Sequence, residues 1–200
     1  MSLFINSFPR TGNRYLLNFL NRFLHVDNQV YNSDTMHDFV MIQKPTPNQI
    51  VIIRDPKDTI PSFAILKKEV EGESGDTMAY AIDNWLEWHE YVLVNIKNLY
   101  PFTFDQVSSD PISCLLEIAR VFSYGHADEK EMRDFKYNLM KDGLSAPVSI
   151  RQSSKLSPNY DKVKEEYEAQ DPEILSVIEE MYQDLLVAVS KRQKALSIVV

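Results

Sequence analysis

One cysteine, Cys114, is all the chain carries. No internal disulfide can form, and the chain fits a reducing compartment. No stretch approaches the roughly 18 uninterrupted apolar residues of a membrane span. The opening residues, MSLFINSFPR, hold too short an apolar run for a signal peptide and lack a cleavage pattern. The expectation is a soluble, cytoplasmic protein with no membrane partner. An excess of positive charge is also missing. The formal net charge is −8, which argues against a general nucleic-acid binder, although it leaves room for a local basic pocket. No Gly/Ser-rich or Pro-rich linker, internal repeat or low-complexity tract divides the 200 residues, so a single domain over 1–200 is expected. No Walker A loop is present, which disfavours an ATP- or GTP-using kinase of the usual kind. His25, His37, His89 and His126 have no metal-ligand spacing, and Cys114 has no CxxC partner, so no metal is implied.

What the chain does have is an alternation of strand-like and helix-like segments. Leu3 to Phe8 is a short apolar run stopped by Pro9 and Gly12, and Tyr15 to Leu24 then shows helical spacing. Gln49-Ile50-Val51-Ile52-Ile53 is β-branched and unbroken, as expected for a strand buried on both faces of a parallel sheet. Asp55 and Pro56 read as the N-cap and first residue of a helix reaching about Val70. After the polar loop Glu71–Asp76, a long helix is predicted from Thr77 to Leu99, carrying Trp85 and Trp88. Phe102–Phe104 is a further strand and Asp110-Pro111 opens a helix to about Phe122. Residues 126–145 look charged and irregular, and 149–159 read as a loop. Asp171-Pro172 starts a last helix with Ile174, Ile178, Met181, Leu185 and Val189 on one face. The pattern predicts an α/β fold of three layers, a mainly parallel sheet flanked by helices.

Two turns carry chemistry. In Pro9-Arg10-Thr11-Gly12-Asn13-Arg14, glycine allows an anion close to the backbone, and the helix start presents free N–H groups. Thr11 and Asn13 offer hydrogen bonds, while Arg10 and Arg14 offer charge. An ordinary strand-to-helix turn with surface arginines is the competing reading. In the second turn, Arg54 leaves the strand end and Ser62 lies two turns into the helix, so both can reach one terminal phosphate. Here the competing reading is a plain Asp-Pro helix cap.

Both turns resemble motifs of sulfotransferases that use 3′-phosphoadenosine 5′-phosphosulfate (PAPS). SFPRTGNRYLLNFL is similar to the family's 5′-phosphosulfate loop at Phe8, Pro9, Arg10, Thr11, Gly12 and Leu16. Asn13 and Arg14 depart from its usual hydroxyl pair. Arg54, Pro56, Lys57, Asp58 and Ser62 match the 3′-phosphate motif, a buried strand running into R-[ND]-P-[KR]-D-x-x-x-S. The two motifs stand in the family's order, 44 residues apart from Arg10 to Arg54. A weaker similarity runs through Phe102–Pro111, where Asp105 either shapes the nucleotide pocket or is a structural loop carboxylate. Trp85 and His89 resemble a tryptophan-histidine pair on a family helix, although for Trp85 a place in the core is the stronger reading.

The resemblance implies a P-loop-NTPase-like sulfotransferase fold and transfer of a sulfuryl group to a hydroxyl or amine of a small acceptor. Arg10 would stabilise the leaving phosphate, and the base would follow the second strand. His37 is the only histidine in that interval and its ordinary pKa suits the task. A surface or structural histidine is the alternative. The family's late R-K-G-x-x-G clamp is missing, and Ser149–Lys155 reads either as its substitute or as a basic surface loop. Two other functions stay open: a small-molecule or nucleotide kinase of related architecture, and a non-catalytic descendant that binds a nucleotide.

Overall fold

The computed structural model describes residues 3–9, 11, 13–25, 31–32, 48–70, 72–141 and 157–198. Arg10, Gly12 and His37, together with residues 149–156, lie outside them. Asn13 and Arg14 are described in their backbone only.

Four parallel strands form the main sheet: β1 (Phe4–Ile5), β3 (Tyr31–Asn32), β4 (Gln49–Ile53) and β5 (Tyr100–Thr103). Their spatial order is β3-β1-β4-β5. All three pairings are parallel. A second, two-stranded antiparallel sheet joins β2 (Leu24–His25) to β6 (Gly125–His126).

The unbroken β-branched run of β4 is explained by its two neighbours above and below. Every residue of β4 is buried. Val51 and Ile53 point into one core, and Ile50 and Ile52 into the other. The first core is closed by α2 (Pro56–Ile65), α3 (Thr77–Asn95), α7 (Tyr160–Glu168) and α8 (Pro172–Ile198). The second is closed by α1 (Asn13–Phe23), α4 (Phe104–Ser109), α5 (Pro111–Phe122) and α6 (Glu129–Lys141). Three layers with helices on both faces result, as the alternating sequence pattern predicts. Among the described residues no helix is long and apolar enough to cross a membrane.

Several boundaries differ from the sequence expectation, each for a local reason. The helix from Pro56 ends at Ile65 and continues to Val70 as a π-helix. The long helix ends at Asn95 and tightens into a 3₁₀ turn over Ile96–Asn98. Phe104 belongs to a helix rather than a strand, because Thr103 and Gln106 form a reciprocal capping box. The charged stretch after 126 is regular from Glu129 to Lys141. Helix α6 runs through it, anchored by buried Met132 and bearing an Arg133–Glu129 ion pair at 3.1 Å. Pro101 sits in a strand without cost to the ladder because β5 is an edge. That edge is covered by α8. Arg192 Nε donates to the Leu99 carbonyl at 3.1 Å, and Gln193 Nε2 to that of Pro101 at 2.9 Å.

Candidate functional site

The sheet order creates one special place. The chain leaves β1 toward one side of the sheet and leaves β4 toward the other. Right-handed crossovers running in opposite directions put their helices on opposite faces, which is why α1 and α2 face different cores. A crevice opens between two such strands at their carboxyl ends, and open α/β sheets bind ligands there. Both sequence-predicted turns flank this crevice.

The first turn is built by hydrogen bonds that end β1 early. Asn6 N–H still donates to the Ile50 carbonyl at 2.9 Å, but Ile52 N–H donates to Ser7 Oγ at 2.6 Å. A side chain thus replaces the backbone in the ladder, and the chain is free to turn. Thr11 then donates its hydroxyl to the Phe8 carbonyl at 2.7 Å and is fully buried. Thr11 therefore shapes the turn through its hydroxyl proton. Pro9 is buried as well. Helix α1 starts at Asn13 with no acidic residue in its first turn. Its first N–H groups and its dipole thus favour an anion.

The second turn is tied to the first through an aromatic contact. The Phe8 ring meets Phe63 edge-on, with centroids 5.1 Å apart, and Phe63 follows Ser62 in α2. Ser62 is buried within that helix. Asp55 caps α2, accepting from Lys57 N–H at 2.8 Å. Lys57 points away to an exposed pairing with Glu179 at 3.4 Å.

Arg54 is held by Asp58 and Phe104, and Asp58 in turn by Tyr160. Its Nη2 donates to Asp58 Oδ2 at 3.1 Å, and its guanidinium carbon lies 4.3 Å from the Phe104 ring centroid. Tyr160, from α7, donates its hydroxyl to the other carboxylate oxygen, Asp58 Oδ1, at 3.2 Å. Burial, then the neighbouring Asp58 charge, pushes the Tyr160 phenol up to about 12, so it stays a donor. The sequence reading missed Phe104, Tyr160 and Ser7. For Tyr160 a signal existed: Tyr160, Val163 and Tyr167 are the buried residues of α7, at helical spacing within a charged stretch. Asp105, in contrast, lies exposed in the first turn of α4.

Beneath the first turn lies His89, fully buried with its ring 5.6 Å from Phe8 and stacked on Trp85 at 4.1 Å. Its Nδ1 is 2.7 Å from the Trp85 carbonyl oxygen, which can only accept, so Nδ1 carries the proton. Nε2 is then a bare acceptor with no hydrogen-bond partner among the described residues, as is true of the Trp85 indole N–H. Burial lowers the His89 pKa to about 3. Cys114 is buried too, its thiol pushed up to about 12, and it is a poor nucleophile.

The chain matches no family model, no curated protein and no solved structure. Function therefore rests on the site. It pairs a helix start without an acidic residue in its first turn with an oriented arginine at the ends of neighbouring strands.

Proposed function

We propose that this protein is a sulfotransferase that binds PAPS across the crevice between β1 and β4 and passes its sulfuryl group to a small acceptor. The observation that carries the reading is the adjacency of the two turns at the carboxyl ends of neighbouring parallel strands. The 5′-phosphosulfate would lie against Pro9–Arg14 and the start of α1, with Arg10 beside the leaving oxygen. Arg54, aided by Ser62, would receive the 3′-phosphate. An acceptor hydroxyl or amine would attack sulfur in line, while the bond from sulfur to the phosphate oxygen breaks. His37 would take the acceptor's proton. No metal or covalent intermediate enters this scheme.

The test is thermal stabilisation by 3′-phosphoadenosine 5′-phosphate (PAP) beside ADP and Mg-ATP. A ligand at 100 times its dissociation constant adds about 2.7 kcal/mol. For a chain of this size that raises the midpoint by about 5–10 °C. A shift with PAP alone supports the reading. A larger shift with Mg-ATP would favour a kinase, and binding of PAP without transfer to any acceptor would favour a non-catalytic nucleotide binder.

A further inference from the structure

Tyr160 reaches the nucleotide-side turn from the far end of the chain, 102 residues after Asp58. Its position does not depend on that one contact. Ser157 Oγ and Asn159 Nδ2 both donate to Glu69 Oε1 at 2.9 Å, pinning the entry to α7 against the end of the α2 segment. Tyr160, Val163 and Tyr167 are buried in the same core as α2. The phenol therefore arrives preplaced, and its hydroxyl takes Asp58 Oδ1 while Arg54 takes Oδ2.

That division of one carboxylate has a consequence for Arg54. With Oδ1 drawn toward Tyr160 and Oδ2 toward Arg54, the rotation of the Asp58 carboxylate is fixed, which disfavours turning it into the two-point clasp that arginine and carboxylate prefer. Such a clasp would compete with an incoming phosphate. The bond to Tyr160 also holds the carboxylate, whose side chain is 31% exposed, against turning out into solvent and releasing Arg54. The Phe104 ring, 4.3 Å from the guanidinium carbon, further restrains Arg54. Arg54 is thereby held in one orientation before any ligand arrives, and preorganised charge binds phosphate better than charge that must first be ordered.

We propose that Tyr160 is a positioning residue that confers selectivity for a 3′-phosphorylated nucleotide, acting through Asp58 on Arg54. This rests on the assignment of Arg54 to the 3′-phosphate. Tyr160→Phe keeps the ring and its packing and removes only the hydroxyl. The decisive measurement is affinity for PAP and for 5′-AMP, which differ by the 3′-phosphate alone, in the intact protein.

Tyr160→Phe is expected to weaken PAP by about three- to tenfold, the reach of one charged hydrogen bond acting at one remove. Binding of 5′-AMP should stay within about twofold. In an Asp58→Ala background, which leaves neither an acceptor for the Tyr160 hydroxyl nor a partner for Arg54 at that position, the same substitution should have no further effect on PAP. Equal weakening of both nucleotides would mean a merely structural role and overturns the proposal. So does an unchanged PAP affinity, or a full effect in the Asp58→Ala background. A wild-type protein that binds PAP no better than 5′-AMP would overturn the underlying nucleotide assignment instead, which separates the two failures.

Discussion

Lowering the pH from 8 to 5 should remove about 2 kcal/mol of stability through His89, and a variant that cannot titrate should keep it. The residue is fully buried among Phe8 and Trp85, with Nδ1–H spent on the Trp85 carbonyl. A second proton on Nε2 would meet no acceptor there. Desolvation therefore lowers its pKa from 6.5 to about 3, the bond to Trp85 offsetting only part of this. The unfolded chain protonates near the ordinary value. The sign follows: stability is full above about 6.5 and falls as pH drops toward 3, at about 1.4 kcal/mol per pH unit. At pH 5 the loss is about 2 kcal/mol, or about 4–8 °C in the midpoint for a domain of this length.

The assay is urea unfolding at both pH values for the wild type and His89→Leu. Leucine has nearly the volume of histidine and no proton to bind. At pH 8 the variant loses the bond to Trp85, about 0.5–1.5 kcal/mol, but also loses a buried acceptor without a partner. Its absolute stability is therefore not the readout. The readout is the difference between the two pH values, which should be about 2 kcal/mol smaller in the variant. If both proteins lose the same stability between pH 8 and 5, His89 is not a buried neutral histidine and the reasoning fails.

Three further outcomes are expected. Arg54→Ala should weaken PAP binding by about 1.5–3 kcal/mol in a titration, and unchanged affinity would remove the 3′-phosphate assignment. His37→Ala should leave nucleotide binding near wild type while turnover falls roughly 10²–10⁴-fold, and normal turnover would rule it out as the base. Ser7→Ala should leave Ile52 N–H without its acceptor and lower stability by about 1–3 kcal/mol. An unmoved urea midpoint would show that Ser7 does not close the ladder.

What could be read from sequence was local. Five consecutive residues of β4 announce a strand buried on both faces, and Asp110-Pro111 marks the start of α5 to the residue. The capping box at Thr103 and Gln106 was equally local, yet the aromatic Phe104 concealed it within an apparent strand. Helix α6 escaped notice because, over Glu129–Tyr137, Met132 alone is buried and most side chains are exposed. The sheet order was beyond reach, since β1 and β3 are two residues long and no pattern says which neighbours which. The poise of Arg54 was also hidden. Asp58 is four residues away and visible, but Phe104 and Tyr160 join it only through the fold.

Folding also separates two helix starts that sequence treats alike. Both α1 and α2 begin at the same crevice, and each should attract an anion by its dipole, typically by about 0.3–1 kcal/mol. They are not equivalent. The Asp55 carboxylate already occupies the start of α2 through Lys57 N–H, and Asp58 lies in its first turn. Helix α1 has no acidic residue there. An anion is thus favoured at α1 and repelled from the backbone of α2, where the Arg54 side chain offers charge while Lys57 is turned to Glu179. Under the proposed function this asymmetry orients the nucleotide: the phosphosulfate end meets backbone N–H groups, and the 3′-phosphate meets a guanidinium. A nucleotide bound the other way would set its phosphosulfate against Asp55 and Asp58. Under the proposed function, the same carboxylates that cap α2 and hold Arg54 would therefore also disfavour the reversed pose.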